Sequence, residues 1–125
     1  MITISSQWVG EATVDTVSVQ IPISATWTSD DPLVLSCSLD GVKWVIGRDL
    51  IRQGLSSRSP LGEGDIRVSV STASLFLELD GKGGDSLVWM PKDRMRGFLD
   101  KTYSLAPMGE ERMDMDNVIE RILSS

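Results

Sequence analysis

The strongest constraint on the fold is a two-residue hydrophobic period that dominates residues 1–90. Val17, Val19, Ile21 and Ile23 fall on one face of a candidate strand, with Ser18, Gln20 and Pro22 on the other. Pro22 has no N–H for a ladder, so the strand is expected to lie at a sheet edge or to end there. Leu33, Leu35, Cys37 and Leu39 repeat the alternation, and Asp40-Gly41 separates them from Val42-Lys43-Trp44-Val45-Ile46. An Asp-Gly pair between alternating runs signals a two-residue hairpin, because both turn positions require positive φ. Ile66, Val68 and Val70, then Leu75, Leu77 and Leu79, then Leu87 and Trp89 read as a three-strand meander.

Three segments change to the helical period. Residues 48–55 place Leu50, Ile51 and Leu55 on one side, with Gly54 suited to the C-terminal cap. Pro91 stands where a first helical residue belongs, and Met95, Phe98, Leu99, Thr102 and Tyr103 follow at amphipathic spacing. Met115, Val118, Ile119, Ile122 and Leu123 repeat that spacing, with Asp114 and Asp116 favourably placed at its N-terminus. Residues 56–64 read as a polar loop. Hairpin-linked strands with helices gathered toward the end make an α+β domain with antiparallel sheet. No repeat or linker divides the chain, so residues 1–125 are expected to form a single domain.

Composition narrows the chemistry. The chain contains no histidine and a single cysteine, Cys37, which removes histidine-based triads, the common zinc sites and any intrachain disulfide. No metal site, cofactor site or catalytic constellation emerges. The N-terminus lacks the pattern of a signal peptide and no run is long enough for a transmembrane helix, so a cytoplasmic location is expected. The net charge of −6 is uneven: residues 1–42 carry −5, residues 43–107 carry +2 and residues 108–125 carry −3. The acidic balance makes nucleic acid an unfavoured partner, although the basic middle leaves room for a local patch.

Each candidate motif has a simpler structural reading. Gly81-Lys82-Gly83-Gly84 lacks phosphate-loop spacing and reads as a hairpin loop. Asp30-Asp31-Pro32 reads as a turn, and residues 114–117 lack the later ligands of a calcium loop. Cys37, in phase with Leu35 and Leu39, reads as a buried inert thiol. Trp8, Trp27, Trp44 and Trp89 would offer stacking surfaces to nucleobases, but Trp44 and Trp89 share phase with apolar neighbours and fit a core. Arg48 and Arg52, one helical turn apart beside Asp49, form either a partner-binding surface or a solvated, ion-paired face.

The stretch from Trp44 to Leu55, WVIGRDLIRQGL, followed by Gly62-Glu63-Gly64-Asp65-Ile66-Arg67-Val68, resembles the signature of the SsgA-like proteins of actinobacteria, W-x-F-A-R-D-L-L-x-x-G-L and then G-x-G-D-V-R-[VI]. Trp27 to Leu33 resembles the family's Y-x-x-x-D-P-Y, and Phe98-Leu99 with Asp114-Met115-Asp116 resembles its later motifs. Trp27 and Leu33 replace family tyrosines, and Val70-Ser71 replaces an aromatic-proline pair.

The resemblance implies two antiparallel β-sheets with C-terminal helices, a whirly-like fold, and assembly as a trimer. It also implies a non-enzymatic regulator of cell division and sporulation, of SsgB type, that localises or recruits FtsZ at division septa, with FtsZ or another SsgA-like protein as partner. Trp44, Arg48, Asp49, Leu50, Arg52, Gly54, Asp65 and Arg67 are the signature positions, for partner binding or for structure. Arg48, Asp49, Asp65 and Arg67 are expected to form an ion cluster holding the helix to the meander. The alternatives are a whirly-like single-stranded nucleic-acid binder and a phage-encoded homologue that modulates host division.

Overall fold

The computed structural model describes residues 1–81 and 84–107. The strands are β1 (Thr3–Val14), β2 (Val17–Thr28), β3 (Val34–Leu39), β4 (Val42–Gly47), β5 (Leu61–Glu63), β6 (Ile66–Val70), β7 (Ser74–Gly81) and β8 (Gly84–Pro91). Helix α1 (Arg48–Ser56) follows β4 and helix α2 (Lys92–Leu105) follows β8. The expected helix over residues 115–123 lies outside the described residues.

All eight strands join one antiparallel sheet in the order β4-β3-β2-β1-β8-β7-β6-β5, curled into a half-barrel. A single sheet replaces the two expected. The join is β1, which pairs with β2 along its whole length and with β8 only at Glu11, Ala12 and Thr13. Its inward positions are Ile4, Ser6, Trp8, Gly10 and Ala12, so serine and glycine interrupt the apolar row that would reveal a strand.

Pro22 neither ends a strand nor marks an edge. It lies inside β2, opposite Val9 of β1, and its carbonyl accepts a 3.0 Å hydrogen bond from Asp40 N–H at the end of β3. The N and carbonyl of a strand residue point the same way. The missing donor of Pro22 therefore faces the side on which β3 is already turning away. That turn is the expected Asp40-Gly41 hairpin, with φ of 52° and 84°.

The core lies between the concave face of the sheet and the two helices. Ile21, Ile23, Ala25 and Trp27 from β2 meet Leu35 and Cys37 from β3 and Leu75 and Leu77 from β7. Burial pushes the Cys37 thiol up to about 12. In β8 the inward residues are Val88 and Met90, and Trp89 lies on the convex face with its ring centroid 6.5 Å from that of Phe76. The run Leu87-Val88-Trp89-Met90 is apolar at every position, so periodicity could not choose between its faces.

Helix α2 buries Met95, Phe98, Leu99 and Thr102 at the expected spacing. Pro91 is its N-cap, one position earlier than the expected first helical place. Helix α1 buries Arg48, Ile51, Gly54 and Leu55. Its first N–H, from Arg48, is satisfied by the Leu33 carbonyl at 2.8 Å. Gly54 is not the C-terminal cap, a place taken by Ser57. A Cβ on Gly54 would lie 3.0 Å from Val68 Cβ and closer still to Val68 Cγ1, so this glycine lets α1 lie directly on β6.

Candidate functional site

Three signature residues of α1, Arg48, Asp49 and Arg52, converge on one turn of α2. The Arg48 side chain is fully buried and reaches back over the sheet's concave side. Its Nη1 donates to the Thr102 carbonyl at 3.3 Å and to Thr102 Oγ1 at 3.5 Å. The Thr102 hydroxyl spends its own proton on the Leu99 carbonyl at 2.8 Å, which leaves its oxygen free to accept. The guanidinium carbon lies 3.9 Å from the Tyr103 ring centroid and 6.0 Å from that of Trp27. Arginine suits this place because its planar cation stacks on an aromatic face while its N–H groups stay directed outward in the ring plane.

Asp49, the next residue, accepts a hydrogen bond from the Tyr103 hydroxyl. Arg52, three residues on, places Nε 3.9 Å from Asp49 Oδ1 and its guanidinium carbon 5.9 Å from the Tyr103 ring. Two arginines and one aspartate of α1 thus enclose the single tyrosine of the chain. Of the two readings of Arg48 and Arg52 as a pair, neither describes Arg48: it is an internal brace. Arg52 and Asp49 remain at the surface, 39% and 45% exposed, where an isolated ion pair contributes little to stability.

Burial raises the Tyr103 pKa to about 12, aided by the Asp49 hydrogen bond and the Asp49 charge and opposed by the charges of Arg48 and Arg52. An unfolded tyrosine titrates near 10, so the tyrosine's contribution to stability is complete below pH 10 and is lost as pH rises toward 12. Because Tyr103 is the only tyrosine, tyrosinate absorbance reads it alone. The expected result is a midpoint near 12 in the folded protein, lowered in Asp49→Asn; a wild-type midpoint near 10 would contradict the enclosed geometry.

The other signature positions lie elsewhere. Trp44 and Leu50 are half-buried against the core, and Gly54 is the contact with β6 described above. Asp65 and Arg67 do not join Arg48 and Asp49 in the expected ion cluster. They sit at the β5–β6 hairpin, in a polar hollow that they share with Glu63, Glu78, Asp80 and Asp85. The separation follows from Arg48 turning to α2, while α1 is held to the meander by the Gly54–Val68 contact. Within the hollow Asp80 faces Asp85 across the β7–β8 ladder, and the hydrogen bond and negative charge of Asp80 raise the Asp85 pKa.

Two features had no clear sequence signal. Tyr103 was visible only as part of a helical stripe, although it is the residue that α1 grips. The rim of the sheet is apolar: Val17 and Val19 continue the inward face of β2 beyond the core and are 62% and 52% exposed. None of the four tryptophans is exposed. Trp27 is buried with Nε1 donating to the Pro32 carbonyl at 3.1 Å, and Trp8, Trp44 and Trp89 are half-buried. Among the described residues no group of three or more cysteine, aspartate or glutamate side chains is placed to hold a metal ion, and no helix is long and apolar enough to cross a membrane.

Residues 21–111 match the family model described as "Streptomyces sporulation and cell division protein, SsgA". The chain is 32% identical over 116 residues to the sporulation-specific cell division protein SsgB of Kineococcus radiotolerans, covering 83% of this chain and 69% of the relative. It is 28% identical to SsgB of Streptomyces coelicolor, covering 86% and 85% of the two chains. A solved structure from work on SsgB mutations that correlate to longitudinal cell division in sporulating Streptomyces coelicolor superposes with a TM-score of 0.79 at 26% identity, over 88% of this chain and 93% of the other. An SsgA-like protein from Thermobifida fusca shares the fold with a TM-score of 0.82 at 22% identity, over 99% and 96% of the chains. The matched segment includes both the α1 signature and the α2 turn that it grips, and the chain belongs to the SsgA family of sporulation and cell-division proteins.

Proposed function

We propose that the protein acts without catalysis, as an oligomeric assembly factor of SsgB type that localises or recruits the septal division machinery through FtsZ or another SsgA-like protein. The observation that carries this reading is the match to SsgB proteins along most of the chain, including the 32% identity to the Kineococcus radiotolerans protein. Its place of action is the cytoplasm, at division septa. The chemistry is consistent: the most buried signature residue, Arg48, is spent on bracing two helices, and the chain has no histidine for acid–base or nucleophilic work. The exposed inward-phase valines Val17 and Val19 suit burial against a neighbouring subunit, which supports a homo-oligomer, with a trimer as the expected state.

The surface favours a protein over a nucleic acid as partner. The tryptophans that would stack bases are packed against the fold, and the Glu63, Asp65, Glu78, Asp80 and Asp85 hollow repels phosphate. Sedimentation of FtsZ filaments with the protein added tests the reading. Co-pelleting with FtsZ, or a changed filament yield, is the expected result; unchanged yield with no co-pelleting would sink it. Sedimentation velocity at micromolar protein is expected to show a trimer, and a monomer would remove the oligomeric part.

A further inference from the structure

The antiparallel ladder between β1 and β8 stops for an identifiable reason. Its register pairs Thr13 with Leu87 and Glu11 with Trp89, so the next hydrogen-bonded pair would be Val9 with Pro91. Proline has no N–H to give, and the chain turns there into α2. Beyond that point β1 keeps β2 on one side and, among the described residues, has no strand on the other. Because the backbone of Pro22 faces β3, that of its partner Val9 faces away from β2. The N–H and carbonyl groups of Val9, Gln7 and Ser5 therefore point to the open side.

The open edge is bordered by two hollows. One, of about 280 Å³, is lined by Ser6, Gln7 and Trp8 and by Arg94, Gly97 and Lys101 of α2, among others. The second, of about 330 Å³, lies at Val9 and Gly10 beside Pro91. Gly97 has nothing within 4 Å of where its Cβ would be, which leaves the trench floor clear. The Trp8 side chain turns inward against the core, its indole Nε1 buried with no hydrogen-bond partner. Arg94 and Lys101 form no hydrogen bond or ion pair among the described residues, and Asp93, the acid in the trench, has Arg96 at 3.8 Å.

From this we infer that the Ser5–Val9 edge of β1 is a docking strand for an extended, acidic segment of a partner protein. The inference goes beyond the FtsZ reading and does not depend on it. The unpaired groups repeat every second residue along a strand, a spacing that a polypeptide in β conformation matches and a nucleic acid does not. Main-chain pairing supplies the register, and Arg94 and Lys101 select carboxylates on the incoming segment.

Fluorescence anisotropy with a short labelled peptide alternating valine and aspartate tests this, against a peptide alternating valine and lysine. The acidic peptide is expected to bind about tenfold or more tighter. Charge reversal in Arg94→Glu/Lys101→Glu should invert the preference. Gln7→Pro deletes one donor on the open side without touching the β1–β2 ladder, and should abolish binding; if this variant does not fold, slowed amide exchange at Ser5, Gln7 and Val9 on adding peptide replaces it. Absence of binding by the wild-type protein, or binding unaffected by both variants, would overturn the proposal. Self-association without peptide that Gln7→Pro removes would also overturn it, assigning the edge to a second copy.

Discussion

Replacing Arg48 with alanine is expected to destabilise the domain by about 3 kcal/mol or more, the scale of a large buried side chain truncated with loss of its hydrogen bonds. Three losses combine. The Thr102 carbonyl loses its Arg48 donor, the Tyr103 ring loses the cation stacked 3.9 Å from its centroid, and the space between α1 and α2 is emptied. For a domain of this size that is a large part of the total stability, and a Tm lower by about 10 °C or more should be seen in a thermal melt. Arg48→Lys separates charge from shape: it keeps a cation but lacks the planar face, so an intermediate loss is expected. A lysine variant as stable as the wild type would show that stacking on Tyr103 contributes nothing.

Gly54→Ala is the second large effect, and its sign runs against helix propensity. In an exposed helix the substitution stabilises by about 1 kcal/mol. Here the new Cβ would meet Val68, which is fully buried, β-branched and therefore stiff, on a strand paired on both sides. Neither side chain can turn away, so α1 must shift from β6 and disturb Arg48 at its other end. A net loss of about 2 kcal/mol is expected in chemical denaturation. The double substitution Gly54→Ala/Val68→Ala should cost less than the two single costs added. Additive costs, or a more stable Gly54→Ala, would place the helix farther from the sheet than described.

The sequence made some of this legible for physical reasons. Strands β2, β3 and β6 alternate because one face is buried and the other solvated, and the Asp40-Gly41 turn announces itself through the positive φ that both residues adopt. Strand β1 leaves no clean alternation because Ser6 and Gly10 occupy inward positions, whereas the expectation of two sheets came from the family resemblance and not from the pattern of residues. Pro22 misled because a proline's effect depends on which side its nitrogen faces, a property of pairing and not of the residue. The signature residues were identified from family resemblance, but their roles divide in space: Arg48, Asp49 and Arg52 address Tyr103, Gly54 addresses Val68, and Asp65 and Arg67 stand in an acidic hollow. Contacts across 54 residues, such as Asp49 with Tyr103, leave no periodic trace.

These placements give the signature motif a mechanical meaning. The short helix is fixed at its start by its own buried Arg48, which reaches Thr102 of α2, and near its end by Gly54, which rests on Val68 of β6, so its remaining face and the sheet around it are held in one arrangement. A rigid surface loses little freedom on binding, which suits the assembly role proposed above.

The central claim, that this surface serves a protein partner and not chemistry or nucleic acid, is tested most directly by placing the immobilised protein on one sensor before purified FtsZ and then before a single-stranded oligonucleotide, at low and at physiological salt. Saturable FtsZ binding at both salts with no oligonucleotide response is the expected result. Oligonucleotide binding that falls steeply with salt, with no response to FtsZ, would contradict it.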